Sequence, residues 1–196
     1  MLSEMSSRER VMTALEHRAT DRIPFVPGVL STDVRRRLSE CLGYSNAAEL
    51  ESNLQFLSDI RRVNPLYIGP GDRHCILSPG KSIDIWGVER TSVSYGLGSY
   101  EEITRYPLAD VTDIADLDRF SWPEAAWFDA VNFRDQCQTI GSNRRYAIRL
   151  GNGNIFESSW YMRGLEQMLV DLLIDPELAW EIMRRVTDYF IAFFRR

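Results

Sequence analysis

Apolar positions recur along the chain at helical and at extended spacings, and these spacings divide it into elements. Ser6-Ser7-Arg8-Glu9 fits a capping box, in which a hydroxyl caps the first turn and a glutamate three residues on reaches back. It predicts a helix from about Ser7, with Val11, Ala14 and Leu15 as its apolar stripe, ending by Arg18. Asp21-Arg22-Ile23-Pro24 then leads into an extended run, Ile23 to Val26. Two further helices are predicted, Asp33 to Leu42 and Ala47 to Leu57, the second with Leu50, Leu54 and Leu57 on one face. Ile60 to Leu66 reads as a strand stopped by Pro65 and the Gly69-Pro70-Gly71 turn, and Ser82 to Ser94 as a hairpin or an extended excursion around Trp86-Gly87. After a stretch of turn formers over 107–124, Trp127 to Ile140 restores a helix ending at Gly141, and Tyr146 to Leu150 is a strand. A helix follows from about Ile155, with Tyr161, Leu165, Met168 and Leu172 on one face. Asp175-Pro176-Glu177 opens the last helix, whose apolar face is Ile182, Val186, Tyr189 and Phe193.

Strands alternating with helices predict an α/β protein with parallel strands. Only three or four strands are legible, whereas a closed (β/α)8 barrel needs eight and about 250 residues. The chain has 196 residues and stops on the apolar face of its last helix, so the expectation is an incomplete N-terminal portion of one domain spanning 1–196. Composition agrees with a globular chain: 44% of residues are hydrophobic and 26% charged. The net charge of -5, from 23 Lys+Arg against 28 Asp+Glu, argues against nucleic acid or an anionic membrane as partner. Cys41, Cys75 and Cys137 stand far apart and read as reduced thiols. No uncharged run approaches the ~20 residues of a membrane span, and no signal peptide is legible, so the expected location is cytoplasmic.

Several motifs, taken in order, resemble one family. Ser7-Arg8-Glu9-Arg10-Val11 with Ala14-Leu15 and Asp21-Arg22-Ile23-Pro24 is similar to the opening of the uroporphyrinogen decarboxylase superfamily. Asp84-Ile85-Trp86-Gly87-Val88, Pro107-Leu108-Ala109, and Leu117-Asp118 before Trp122-Pro123 resemble landmarks of its divergent branch, which includes the corrinoid-linked methylcobamide:coenzyme M methyltransferases. Phe156 to Gly164, then Asp171 and Asp175-Pro176-Glu177, resembles its mid-barrel segment. The resemblance implies a (β/α)8 TIM barrel of which this chain is the N-terminal portion. It also implies a tetrapyrrole or corrinoid ligand, with the corrinoid carried on a partner protein in some members. In true decarboxylases the loop after the first strand carries an arginine that grips substrate carboxylates; here the segment Phe25 to Leu30 has none, which tilts the reading toward corrinoid-dependent methyl transfer. Uroporphyrinogen decarboxylation in porphyrin biosynthesis is the alternative, and a non-catalytic fragment or binding subunit a third. The methyltransferase zinc site, built from His-x-Cys and a later Cys, is absent, so zinc and a corrinoid are expected only of a longer chain, and enzymatic activity of this one stays open. A homo-oligomer also stays open.

The residues themselves offer a few candidates. In a parallel α/β barrel the sites lie at the C-terminal ends of strands, which singles out Asn152, Gly153 and Asn154 after the strand Tyr146 to Leu150. A tight turn with a helix cap is the structural alternative. Glu157 in the first turn is either a general acid/base or an electrostatic stabiliser of the helix N-terminus. By its place in Trp-Tyr-Met-Arg-Gly, Tyr161 corresponds to a tyrosine lining the cavity of the decarboxylases, and its phenol suits a developing charge; its helical stripe also suits plain core. Arg149 and Arg62, unusual inside strands, are candidates for substrate carboxylates or for structural ion pairs with Asp59 or Asp84. Arg35, Arg36 and Arg37 read as a solvated helix face, Asp84 as a turn anchoring Trp86, and His17 as a cation at a helix C-terminus. His74-Cys75 supplies only two of the three or four ligands a zinc site needs, so no metal ligand is assigned.

Overall fold

The computed structural model describes residues 4–28, 30–96, 98–141, 145–151 and 153–196. In chain order its elements are α1 (Ser7–Leu15), α2 (Thr32–Leu42), α3 (Ala47–Leu57), β1 (Ile60–Val63), β2 (Cys75–Ser78), β3 (Lys81–Ile83), β4 (Glu89–Ser94), β5 (Ser99–Arg105), α4 (Ile114–Arg119), a 3₁₀ turn (Ala125–Trp127), α5 (Ala130–Gly141), β6 (Ala147–Leu150), α6 (Ile155–Arg163), α7 (Leu165–Ile174) and α8 (Pro176–Phe194). The architecture is mixed α/β, and the described residues form no closed barrel. Two compact units contain these elements: Met1–Pro65 with Tyr95–Gly98 and Val131–Gly151, and Leu66–Ser94 with Ser99–Ala130 and Asn152–Arg196. No helix among the described residues is long and apolar enough to cross a membrane.

In the first unit the capping box forms as its sequence predicts. The Ser6 hydroxyl accepts the Glu9 N–H at 3.2 Å, and the Glu9 carboxylate accepts the Ser6 N–H at 2.9 Å. The helix stops at Leu15, short of Arg18, because His17 turns to a positive φ of 55°. β1 and β6 pair in parallel, from Ile60↔Ala147 to Val63↔Leu150, and α1 packs against both, burying Val11, Val63 and Ala147. β1 is three residues shorter than expected.

Ile23 to Val26 is extended but is not a ladder strand. Pro24 and Pro27 have no N–H to give a neighbour, and Phe25 alone makes the link. Its carbonyl accepts the Asp59 N–H at 2.8 Å, and its N–H donates to Asp59 Oδ2 at 2.7 Å. Asp59 has no exposed surface at all and anchors a four-residue network. Arg10 Nη1 donates to its Oδ1 at 2.6 Å, and Arg22 donates to both its oxygens at 2.7 and 2.9 Å. Arg10, itself buried, also holds Asp21 through a two-pronged contact of 2.6 and 2.8 Å.

The second unit is built on an antiparallel sheet of order β2-β3-β4-β5. The hairpin expected over Ser82 to Ser94 is present as β3 and β4, flanked by β2 and β5, which the apolar pattern does not reveal. Its core gathers Trp86, Val88, Leu108, Leu117 and Met162 with Leu178, Ile182, Val186 and Tyr189 of α8. The last-helix stripe is therefore the buried face expected of it, opened by Asp175, whose side chain accepts the Leu178 N–H.

The continuous helix expected from Ile155 to Leu172 is instead two, because Gly164 sits at φ 92° and ψ 135° and separates α6 from α7. The break is fixed by a buried pair. Arg163 Nε donates to Asp171 at 2.7 Å, while its Nη1 donates to the carbonyls of Leu108, Ala109 and Val111. The helix expected from Trp127 begins at Ala130, after the 3₁₀ turn. Gly69 is required by space against that turn: a Cβ there would lie 2.7 Å from Trp127.

Candidate functional site

The sequence-derived candidates fall into both units. In the first, the parallel register places Arg62 of β1 directly beside Arg149 of β6. Partners in a parallel ladder project to the same face, so two guanidiniums share one patch of sheet. Both residues are exposed. The expectation that either pairs with Asp59 or Asp84 is overturned: Asp59 is saturated by Arg10 and Arg22, and Asp84 binds Arg90 at 2.6 Å. Sequence separation hides this, since Asp59 lies 37 residues from Arg22 and 49 from Arg10.

In the second unit the loop before α6 supplies Gly153 and Asn154; Asn152 lies outside the described residues. A Cβ on Gly153 would stand 3.1 Å from the Phe194 ring, so glycine here permits close packing on the end of α8. Asn154 occupies the N-cap position without capping the backbone; its side-chain amide donates instead to Glu157 Oε2. The other oxygen of Glu157 accepts the Tyr161 phenol at 2.7 Å. The i, i+4 spacing of a helix brings these two side chains together.

Tyr161 belongs both to the rim of the core and to a polar chain. Its ring packs against the buried cluster, and the Arg90 guanidinium lies 5.0 Å from its centroid. Arg90 is fixed in turn by Asp84, whose other oxygen accepts the N–H groups of Trp86 and Val88 at 2.8 and 3.0 Å. Desolvation first, then the hydrogen bond and charge of Glu157, push the phenol pKa above its ordinary value, with Arg90 opposing. The tyrosine is therefore kept protonated, as a donor aimed at a carboxylate. Such a pair can pass a proton from a ligand through the phenol oxygen to Glu157, or hold the phenol in one orientation against a ligand.

Arg90 was not singled out by the sequence reading; its position six residues beyond Asp84 in Asp-Ile-Trp-Gly-Val was the available signal. Arg10, Asp21 and Asp59 were also missed as a network, although Asp21 and Arg22 stand in the resembling motif. His74 and Cys75 lie near the Tyr67 ring, which is 5.1 Å from that of His74. Among the described residues no group of three His, Cys, Asp or Glu side chains is arranged to hold a metal. A thiolate-binding zinc thus finds no fitting donor set among the described residues. Comparison with protein-family models, curated proteins and solved structures finds no match to this chain.

Proposed function

We propose that the chain is the N-terminal portion of a uroporphyrinogen decarboxylase-type (β/α)8 barrel that binds a tetrapyrrole or corrinoid in the cytoplasm and, in a longer chain, takes part in corrinoid-dependent methyl transfer. The observation that carries this reading is the Tyr161–Glu157 pair at 2.7 Å, standing on the helix that follows β6 in the sequence. In a barrel, the segment after a strand's C-terminal end is where ligands are met. The parallel β1–β6 pair and the extended segment tied to it through Phe25 and Asp59 support the arrangement of neighbouring barrel strands.

In this reading Tyr161 faces the macrocycle as a hydrogen-bond donor and Glu157 sets its orientation and takes up its proton. Asn154 steadies the carboxylate and Gly153 keeps the loop close to α8, while Arg149 and Arg62, in the other unit, are separate candidates for acidic groups. Decarboxylation of uroporphyrinogen is a second reading, favoured by one feature: the adjacent Arg62 and Arg149 suit a ligand bearing carboxylates. Equilibrium dialysis of the 196-residue chain against methylcobalamin and against uroporphyrin separates them. Saturable retention of methylcobalamin at one per chain is expected; retention of uroporphyrin alone favours the second reading, and retention of neither overturns both.

A further inference from the structure

We infer that Arg62 and Arg149 form a single binding site for a doubly charged oxyanion, a phosphate group or a dicarboxylate, held across the β1–β6 pair. Three observations meet there. The two residues are partners in the parallel register, so their side chains rise from one face at neighbouring strands, about 4.8 Å apart in the direction of the ladder. Neither side chain makes an ion pair or a hydrogen bond among the described residues, although those of the chain's other strand arginines do: Arg61 donates to the Ser58 carbonyl, Arg90 pairs with Asp84 and Arg105 with Glu89. The third observation fixes where the charge sits. An ideal Cβ on Gly151 would stand 3.7 Å from Arg62 Nη2, so this guanidinium reaches across to the C-terminal end of β6, two residues beyond Arg149.

Two like charges set side by side repel each other, and no acidic side chain among the described residues relieves that repulsion. A dianion relieves it, and one with two or more oxygens engages both planar forks at once. Glycine at 151 leaves room for that approach, since a side chain there would crowd the head of Arg62. The opposite face of the ladder has different chemistry: Arg61 stacks 3.7 Å over the Tyr146 ring and is already engaged. The site is therefore confined to one face and one end of the strand pair. It lies among residues used in the function proposed above but rests on the charge and geometry of β1 and β6, whatever barrel they belong to.

Isothermal titration calorimetry of the chain with inorganic phosphate and, separately, with succinate tests the site. The expected result is one saturable site for at least one of them, weakened about tenfold by Arg62→Gln or by Arg149→Gln and lost in the double variant. Arg61→Gln, on the other face, leaves binding unchanged. Both target side chains are exposed and unpaired, so their replacement leaves no buried partner behind, and far-ultraviolet circular dichroism confirms an intact fold. Phosphate binding alone identifies a phosphoryl group as the ligand, and succinate binding alone a pair of carboxylates. Absence of binding to both, or binding that R62Q and R149Q leave untouched, overturns the inference. Loss of tetrapyrrole retention with phosphate or succinate binding intact would count against the proposed function only.

Discussion

Asp59 is fully buried yet charged, and its cost of desolvation is met by two arginines and a backbone N–H. Burial pushes its pKa up, but the hydrogen bonds from Arg22, the Phe25 N–H, Ser7 and Arg10 outweigh this and hold it below its ordinary value. Asp59→Ala leaves the buried Arg10 without one of its carboxylates and is expected to destabilise the fold by about 3–5 kcal/mol, read from urea denaturation. Glu181 behaves alike at the surface of α8: hydrogen bonds from Arg184, against desolvation, and from Arg185 lower it from 4.5 to about 2. A carboxylate with a depressed folded pKa stabilises fully above its unfolded value and loses that contribution as pH falls through the folded one. Thermal stability should therefore be flat above about pH 5 and fall between about pH 4 and pH 2. Glu181→Gln should make that fall shallower. The partners of Asp59 were not legible from spacing, since the sequence shows charged residues but not which distant ones they meet. What was legible was local: the Ser6–Glu9 box, the Asp175 cap and the Asp84 turn, each closed within five residues.

Helices whose apolar stripes face a core were readable in the same way, and α8 is the clearest, with Ile182 and Val186 fully buried. The stripe through Tyr161, Leu165, Met168 and Leu172 misled because periodicity is blind to backbone sign. Met168 is buried while Leu165 is exposed, since the chain turns at Gly164 between them. A Cβ at 164 would meet only Tyr106, at 3.9 Å, so space is available and the conformation alone decides. Gly164→Ala is expected to cost about 1–3 kcal/mol, measured by thermal or urea denaturation, with Arg163→Ala adding a separate and larger loss. β5 escaped detection for another reason. Ser-Tyr-Glu-Glu-Ile-Thr-Arg is mostly exposed and polar, and becomes a strand through its ladder to β4 and the Lys81–Glu89–Arg105 ion pairs. Edge pairing of this kind leaves little hydrophobic pattern to read.

At the scale of the molecule, the alternation of helices and strands correctly gave a mixed α/β protein, while the antiparallel sheet between β1 and β6 came as an addition. A strand pair that is parallel must be joined by a long crossover, and here 83 residues separate Val63 from Ala147 in the sequence, a stretch that contains β2 to β5, α4, the 3₁₀ turn and α5. Residue types pointed to Tyr161, Glu157, Arg62 and Arg149, but not to their pairing, which depends on helix phase for the first two and ladder register for the others. The Tyr161–Glu157 pair is proposed to face a macrocyclic ligand. Equilibrium dialysis of the wild-type, Tyr161→Phe and Glu157→Gln chains against methylcobalamin tests it most directly. One corrinoid retained per wild-type chain, with affinity falling about tenfold or more in each variant, is the predicted result. No retention by the wild type, or retention equal in all three, would contradict it.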